Sequence, residues 1–164
     1  MKKVLIFALA PIFLSSTDES KISNEVITLN PIKEVVIEQP IVLPSKSIDD
    51  LINALIYVES RGNDSAVGDR HLAEPSVGVL QIRPIMVREV NRICRRIGSN
   101  QRFTLKDRFD RDKSIHMFLI WKQFHHKDSD FEAIARSWNG GPRWRKIDRT
   151  KKYWEKVEQQ LNNN

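Results

Sequence analysis

The chain has 164 residues, which is enough for one ordinary domain with a short leader and a tether. Hydrophobic residues make up 40% of it without the bias of fibrous or disulfide-rich proteins, so we expect a conventional hydrophobic core. A single cysteine excludes an internal disulfide, and the four histidines show none of the paired spacings of zinc sites. No cofactor or metal is therefore expected, while the formal net charge of +6 suits an anionic partner.

The first 17 residues read as a targeting signal. Lys2 and Lys3 precede an apolar run over residues 4–14, and small polar residues follow. The run is shorter than the roughly 20 residues that span a bilayer, so it predicts a signal peptide, with an uncleaved anchor as the alternative. No cysteine lies near the leader, so a lipoprotein is not expected. We expect a soluble exported protein, either periplasmic or secreted.

Residues 18–47 predict an extended linker, because they are polar or β-branched, contain three prolines and lack glycine. The domain proper is expected over residues 48–164. Its apolar spacing predicts a mainly α fold with five helices. The first begins at residue 48 and ends at residues 61–63, and the others cover residues 84–97, 110–125, 130–138 and 151–161.

The long loop at residues 63–81 follows the first predicted helix and is long enough to carry function. Glu59 stands near the end of that helix, where the helix dipole disfavours a negative charge. The ordinary interpretation of a single glutamate is a solvated surface position. If Glu59 is instead buried among its apolar neighbours, its pKa rises and it stays protonated near neutrality, as a general acid requires.

Three short motifs occur in order along the domain. They are a Glu-Ser pair at residues 59–60, Gly-Val-Leu-Gln at residues 78–81 and Ala-Arg-Ser-Trp-Asn-Gly-Gly-Pro at residues 135–142. The set resembles the soluble lytic transglycosylase family, which is related in fold to goose-type lysozymes and has a Glu-Ser pair, a Gly-x-x-Gln turn and an Ala-Tyr-Asn-x-Gly-Pro block. Residues 153–157 are similar to a fourth family element, Tyr-Val-x-x-Val. The resemblance covers roughly residues 48–157.

The resemblance implies a lysozyme-like domain with a substrate cleft and with Glu59 as the catalytic residue. The substrate-binding residues that we predict from it are Ser60, Gln81, Trp138, Asn139 and Tyr153. Tyr153 would hydrogen-bond the catalytic carboxyl group, and Trp138 and Trp144 would stack on sugar rings. One departure from the family is Trp138 itself, because it stands where the family has a tyrosine and has no hydroxyl group. Another is the more charged run at residues 66–78.

Each of these side chains also has a purely structural interpretation. Ser60 could be only a helix-terminal hydroxyl group, and Gln81 could tie its turn to the helix. Asn139 could hold its own loop, and Tyr153 could pack as a core aromatic residue. We interpret Cys94 as a buried apolar residue rather than a nucleophile.

The implied reaction cleaves the β-1,4 bond between N-acetylmuramic acid and N-acetylglucosamine in peptidoglycan without water, and it leaves 1,6-anhydromuramyl ends. Glu59 would act first as the acid and then as the base. A hydrolytic muramidase on the same fold is the nearest alternative, and it would need a second carboxylate such as Asp64, Asp69 or Glu74. A non-catalytic peptidoglycan-binding module is a further alternative, which the presence of Glu59 disfavours.

The basic residues suggest one alternative of a different class. Arg88, Arg92, Arg95 and Arg96 lie on one face of the second predicted helix, which is most simply a solvated face. The same pattern fits nucleic-acid binding, but the secretory leader argues against that partner. We therefore expect a monomer whose partner is the peptidoglycan glycan strand and not a nucleic acid.

Overall fold

A computed structural model describes residues 45–163, and within them the domain is mainly α-helical, as predicted. The α-helices are α1 (Ile48–Ser60), α2 (Pro84–Arg96), α3 (Arg111–His125), α4 (Phe131–Gly140) and α5 (Arg149–Asn163). Two short 3-10 helices, η1 (Leu105–Phe109) and η2 (Gly141–Lys146), were not predicted. The predicted signal peptide and nearly all of the predicted linker lie outside the described residues. No helix within residues 45–163 combines the length and apolarity needed to cross a bilayer.

Side-chain caps explain where three of the helices begin. The Ser47 hydroxyl group accepts a hydrogen bond from the Asp50 backbone amide (3.2 Å), and the Asp50 carboxylate accepts one from the Ser47 amide (2.7 Å), which is a capping box. Asp110 and Asp130 cap α3 and α4 in the same position. They were predicted as the first helical residues, and the structure places each one residue before its helix because their side chains bond the first turn.

The hydrophobic core lies where α1 and α4 pack on α5 and where α2 packs on α3. Its fully buried side chains include Leu51, Leu55, Leu80, Val90, Met117, Phe118, Ile134 and Val157. Cys94 is also fully buried, as predicted. These contacts fix the position at which α1 ends.

The long loop between α1 and α2 is held by isolated bonds, since the described residues contain no regular strand. Val77 forms antiparallel bridges with Val67 and with Ile82. The buried guanidinium group of Arg108, in η1, donates hydrogen bonds to the carbonyl oxygens of Pro75 (3.2 Å) and Ile82 (3.1 Å). Burying these carbonyl groups without a donor would be costly, so Arg108 sets the position of the loop.

Gly78 is the point at which the loop lies directly on η1. Its φ of +77° is in the left-handed region, and a Cβ atom at this position would lie 1.8 Å from the Arg108 carbonyl oxygen. Because the obstructing atom belongs to the backbone, no side chain can be accommodated without moving the loop.

We expect Gly78→Ala to lower the free energy of unfolding by at least about 2 kcal/mol, since it combines backbone strain with a backbone clash. Gly98→Ala is the matched control, because Gly98 also has a positive φ of +72° but would meet no atom within 4 Å. Urea denaturation of the two variants measures the difference. Equal losses of stability in both variants would show that the contact with Arg108 is not a constraint.

Candidate active site

An open pocket of about 980 Å³ lies beside the C-terminal end of α1. Four predicted site residues line it, namely Glu59, Gln81, Trp138 and Asn139. They come from α1, the long loop and α4, so the fold brings together residues that are far apart in the sequence. Ser60 and Tyr153, the other two predicted site residues, are not among its lining residues.

The Glu59 carboxyl group is largely withdrawn from water, and this burial raises its pKa from 4.5 to about 7. The Tyr153 hydroxyl group donates a 2.7 Å hydrogen bond to Glu59 Oε1, which acts in the opposite direction and lowers the pKa. The negative charge of Asp69 raises it again, with the smallest effect of the three. Burial and the charge of Glu59 raise the pKa of Tyr153 well above its usual value, so its hydroxyl group remains a donor.

A carboxyl group with this pKa is populated in both protonation states near neutral pH. It can therefore give a proton to a bound group and take one back without a large cost in either direction. The position of Glu59 on the pocket wall makes its carboxyl group the chemically distinctive feature of this pocket.

The Gln81 side chain forms hydrogen bonds within the long loop at the pocket wall. Its Nε2 atom donates hydrogen bonds to the carbonyl oxygens of Gly78 (2.9 Å) and Ala66 (3.4 Å), and its Oε1 atom accepts one from Ser76 Oγ (3.0 Å). The Gln81 backbone is itself left-handed, with a φ of +47°. These bonds match the structural interpretation of Gln81, and its contact with a substrate stays a prediction.

The Ser60 hydroxyl group fastens the end of α1 to the loop. It lies 3.2 Å from the Ile56 carbonyl oxygen and 2.9 Å from the Val79 carbonyl oxygen. Its one proton is therefore shared between two backbone acceptors. A contact between Ser60 and sugar stays a prediction, whereas its role in holding the loop is visible.

Two of the predicted stacking residues lie in different surroundings. Trp138 is half-buried and packs edge-to-face on Phe118 and Trp121, with ring centroids 5.1 Å apart in both pairs. The Trp144 ring is only 8% exposed, and the guanidinium carbons of Arg136 and Arg145 lie 4.6 and 4.4 Å from its centroid. Arginine therefore covers Trp144, and Trp138 is the better placed of the two to meet a sugar.

Two acidic residues of the long loop are paired with arginines, and a third faces the pocket. Asp64 forms an ion pair with Arg111 at 3.1 Å, and Glu74 forms a bidentate pair with Arg88 at 3.0 and 3.1 Å. Asp69 lines the pocket and is close enough to the buried glutamate to raise its pKa. Of the three second-carboxylate candidates, only Asp69 is at the site.

His126 is a pocket residue that sequence reasoning missed. Its Nε2 atom lies 2.9 Å from Ser137 Oγ and its Nδ1 atom 3.1 Å from Ser129 Oγ. Burial lowers the pKa of His126, and the positive charges of His125 and Arg145 lower it further. Only the packing of α3 beside α4 brings these groups together, and no local motif signals it.

Comparison of the chain with protein-family models, with curated proteins and with solved structures finds no match. Among residues 45–163, no group of three or more histidine, cysteine, aspartate or glutamate side chains could hold a metal ion. A functional assignment therefore depends on the geometry of the pocket and on the sequence motifs.

We expect Glu59→Gln to stabilise the domain at pH 8 but not at pH 4. The folded-state pKa of Glu59 is raised to about 7, so the native domain loses stability as the pH rises from about 4.5 through 7 and the buried carboxyl group ionises. Removing that penalty is worth up to about 3 kcal/mol. Urea denaturation at both pH values measures the effect, with Glu155→Gln on the exposed face of α5 as the control. Equal stability of the Glu59→Gln variant and the native protein at pH 8 would contradict the raised pKa.

Tyr153→Phe is expected to raise the pKa of Glu59 further, because it removes the hydrogen bond that favours the carboxylate. A pH titration of the glutamate side-chain carbon by NMR measures the pKa directly. Tyr57→Phe is the matched control, since Tyr57 is exposed and its hydroxyl group contacts Arg61. A pKa that falls or stays constant in Tyr153→Phe would show that the hydroxyl group does not act on Glu59.

Proposed function

We propose that this chain is a peptidoglycan-cleaving enzyme of the lytic transglycosylase type, with a lysozyme-like fold and with the pocket as its substrate cleft. The observation that carries the proposal is one largely buried carboxyl group, Glu59, with a pKa of about 7 and a hydrogen bond from Tyr153, on the wall of an open pocket. The resemblance of residues 48–157 to the soluble lytic transglycosylases supports it.

The proposed reaction uses Glu59 twice. Protonated Glu59 gives its proton to the glycosidic oxygen as the bond to the muramyl C1 breaks, while the 2-acetamido oxygen of the same sugar bonds to C1 and closes an oxazolinium ring. The Glu59 carboxylate then takes the proton from the muramyl 6-hydroxyl group, whose oxygen bonds to C1 and reopens that ring. Glu59 is protonated again, no water is consumed, and a 1,6-anhydromuramyl end is released.

Tyr153 has a defined part in this cycle. Its hydrogen bond favours the carboxylate, while burial favours the neutral acid, and the balance places the pKa of Glu59 near neutrality. A general acid that later acts as the base is most effective when its pKa is close to the working pH. A solvent-exposed glutamate is ionised near neutral pH and therefore has no proton to donate as the acid.

The partner that we propose is the glycan strand of peptidoglycan rather than a nucleic acid, and the export that we propose from the leader would fit that substrate. An open pocket can take an internal segment of a polymer. Asn139 is exposed on its wall, beside the half-buried Trp138, so an amide and an indole ring are available to hydroxyl groups and to the apolar face of a sugar.

One observation favours a second candidate function, hydrolysis of the same bond. Asp69 lines the pocket, raises the pKa of Glu59 by its charge and shares the Ser76 hydroxyl proton with Gln81, with its Oδ2 atom 3.3 Å from Ser76 Oγ. A second carboxylate near the acid can activate water in a glycoside hydrolase. Asp69 would have that role in a muramidase.

Mass spectrometry of purified peptidoglycan digested with the full-length protein tests both functions. We expect anhydromuramyl ends from the native protein and from Asp69→Asn, and a loss of at least about a hundredfold in Glu59→Gln, which lacks the acid. Near-ultraviolet circular dichroism verifies that each variant is folded, and Glu155→Gln is the control for loss of a glutamate.

Two results would overturn the proposal. Reducing muramic ends that disappear in Asp69→Asn would assign the chain to the hydrolytic muramidases. Binding to the wall without release of any fragment would assign it to the non-catalytic binding modules.

A further inference from the structure

The pocket does not end at Glu59 but continues along one face of α2. The residues of α2 that line it include Ile85, Arg88, Glu89, Arg92 and Arg95, which follow the three- and four-residue spacing of one helix face. Ten residues separate the first from the last, which corresponds to about 15 Å along the helix axis. We call this extension the basic arm. From the sequence, a solvated face was the simplest interpretation of these arginines, with nucleic-acid binding as the alternative.

The carboxylate of the basic arm is fully engaged within the protein. Glu89 forms a bidentate pair with Arg92, with both distances 2.7 Å, and its Oε1 atom lies 2.7 Å from His125 Nε2. These partners lower the pKa of Glu89 to about 2, so it remains ionised and neutralises charge on Arg92 and His125. Among the described residues, its ion pairs are with Arg92 and His125 and not with the other arginines of α2.

Two guanidinium groups of the pocket lining, one in the basic arm and one in η2, lack such a counter-ion. Within residues 45–163, neither Arg95 nor Arg145 takes part in an ion pair or in a side-chain hydrogen bond. Both line the pocket, Arg95 from the last turn of α2 and Arg145 from η2. Arg145 rests against the Trp144 ring, which holds its guanidinium group in place.

The walls of the arm also carry apolar surface. Most of it comes from the half-buried Trp138, because Trp121, which lines the same pocket and packs edge-to-face on Trp138 at 5.1 Å, is only 6% exposed. His126 lies at the same wall, and burial, more than the neighbouring positive charges, lowers its pKa. A ligand that suits the arm has anionic groups on a short, partly apolar backbone.

We propose that the basic arm binds the carboxylate groups of the peptide stems that peptidoglycan carries on its muramyl residues, with Arg95 and Arg145 as the anion-binding residues. The inference rests on the proposed function, because the strand cleaved at Glu59 then brings its own stem into the adjoining part of the pocket. A guanidinium group binds a carboxylate through paired hydrogen bonds, and small apolar side chains of the stem would meet the Trp138 ring.

Sedimentation with insoluble peptidoglycan sacculi tests the proposal without requiring cleavage. All proteins are full-length and carry Glu59→Gln. The test variant adds Arg95→Gln and Arg145→Gln, and the matched control adds Arg96→Gln and Arg143→Gln, which remove the same charge from α2 and η2 outside the pocket lining. Each protein is titrated against intact sacculi by sedimentation. An amidase that removes the stems also removes the cross-links and leaves soluble glycan strands, so binding to these stem-free sacculi is measured by fluorescence anisotropy of the labelled protein.

We expect the test variant to bind intact sacculi at least about tenfold more weakly than the control, because charged hydrogen bonds are lost, and to bind stem-free sacculi equally well. Thermal unfolding verifies that both variants are folded. If the double variant does not fold, Arg95→Gln alone is tested, because Arg95 is exposed and its loss breaks no side-chain bond within the described residues. That single variant should lose at least about threefold in affinity for intact sacculi only.

Three outcomes would decide against the basic arm or against the reaction. An equal loss of affinity on intact and stem-free sacculi would overturn the proposal, because the arm would then bind the glycan or another wall anion. Equal binding by the test and control variants would overturn it as well, leaving Arg95 as a charge that stabilises the end of α2. Stem-dependent binding without anhydromuramyl products would overturn the proposed reaction alone.

Discussion

The hydrogen bond from Tyr153 to Glu59 spans 94 positions of the chain and joins the end of α1 to α5. It exists because α1 and α5 share the core, where Leu55 and Val157 are fully buried. Withdrawing a carboxyl group from water at the negative end of a helix dipole is unfavourable, and one hydrogen bond offsets only part of that cost. The remainder appears as a pKa of about 7, so the stability of the fold and the chemistry of the site depend on the same packing.

The long loop completes the wall around this carboxyl group without regular structure. Ser60 bonds the Val79 carbonyl oxygen, the Gln81 amide bonds the Gly78 carbonyl oxygen, and Arg108 bonds carbonyl groups at both ends of the turn. Each bond satisfies a backbone acceptor that a strand partner would otherwise satisfy. The loop is therefore as well determined as a short sheet would be, while its polar side chains remain at the pocket.

Helical periodicity and capping residues were enough to predict all five helices to within three residues at either end. The five-residue and six-residue 3-10 helices were missed because such lengths contain too little periodicity. Arg108 was not singled out, since nothing local in the sequence distinguishes an arginine that bonds distant carbonyl groups. The pairing of Tyr153 with Glu59 was anticipated only through the family motif, because no spacing rule relates residues on opposite ends of a domain.

The two ends of the pocket carry opposite charge, and they are electrostatically separate. Among the described residues, the one charge that perturbs the pKa of Glu59 is that of Asp69, and no arginine of the basic arm contributes. The arginines that would hold an anion are therefore not among the groups that set the pKa of Glu59. Such a separation lets binding strength vary through the arm while the balance between acid and base at Glu59 stays fixed by burial and by Tyr153.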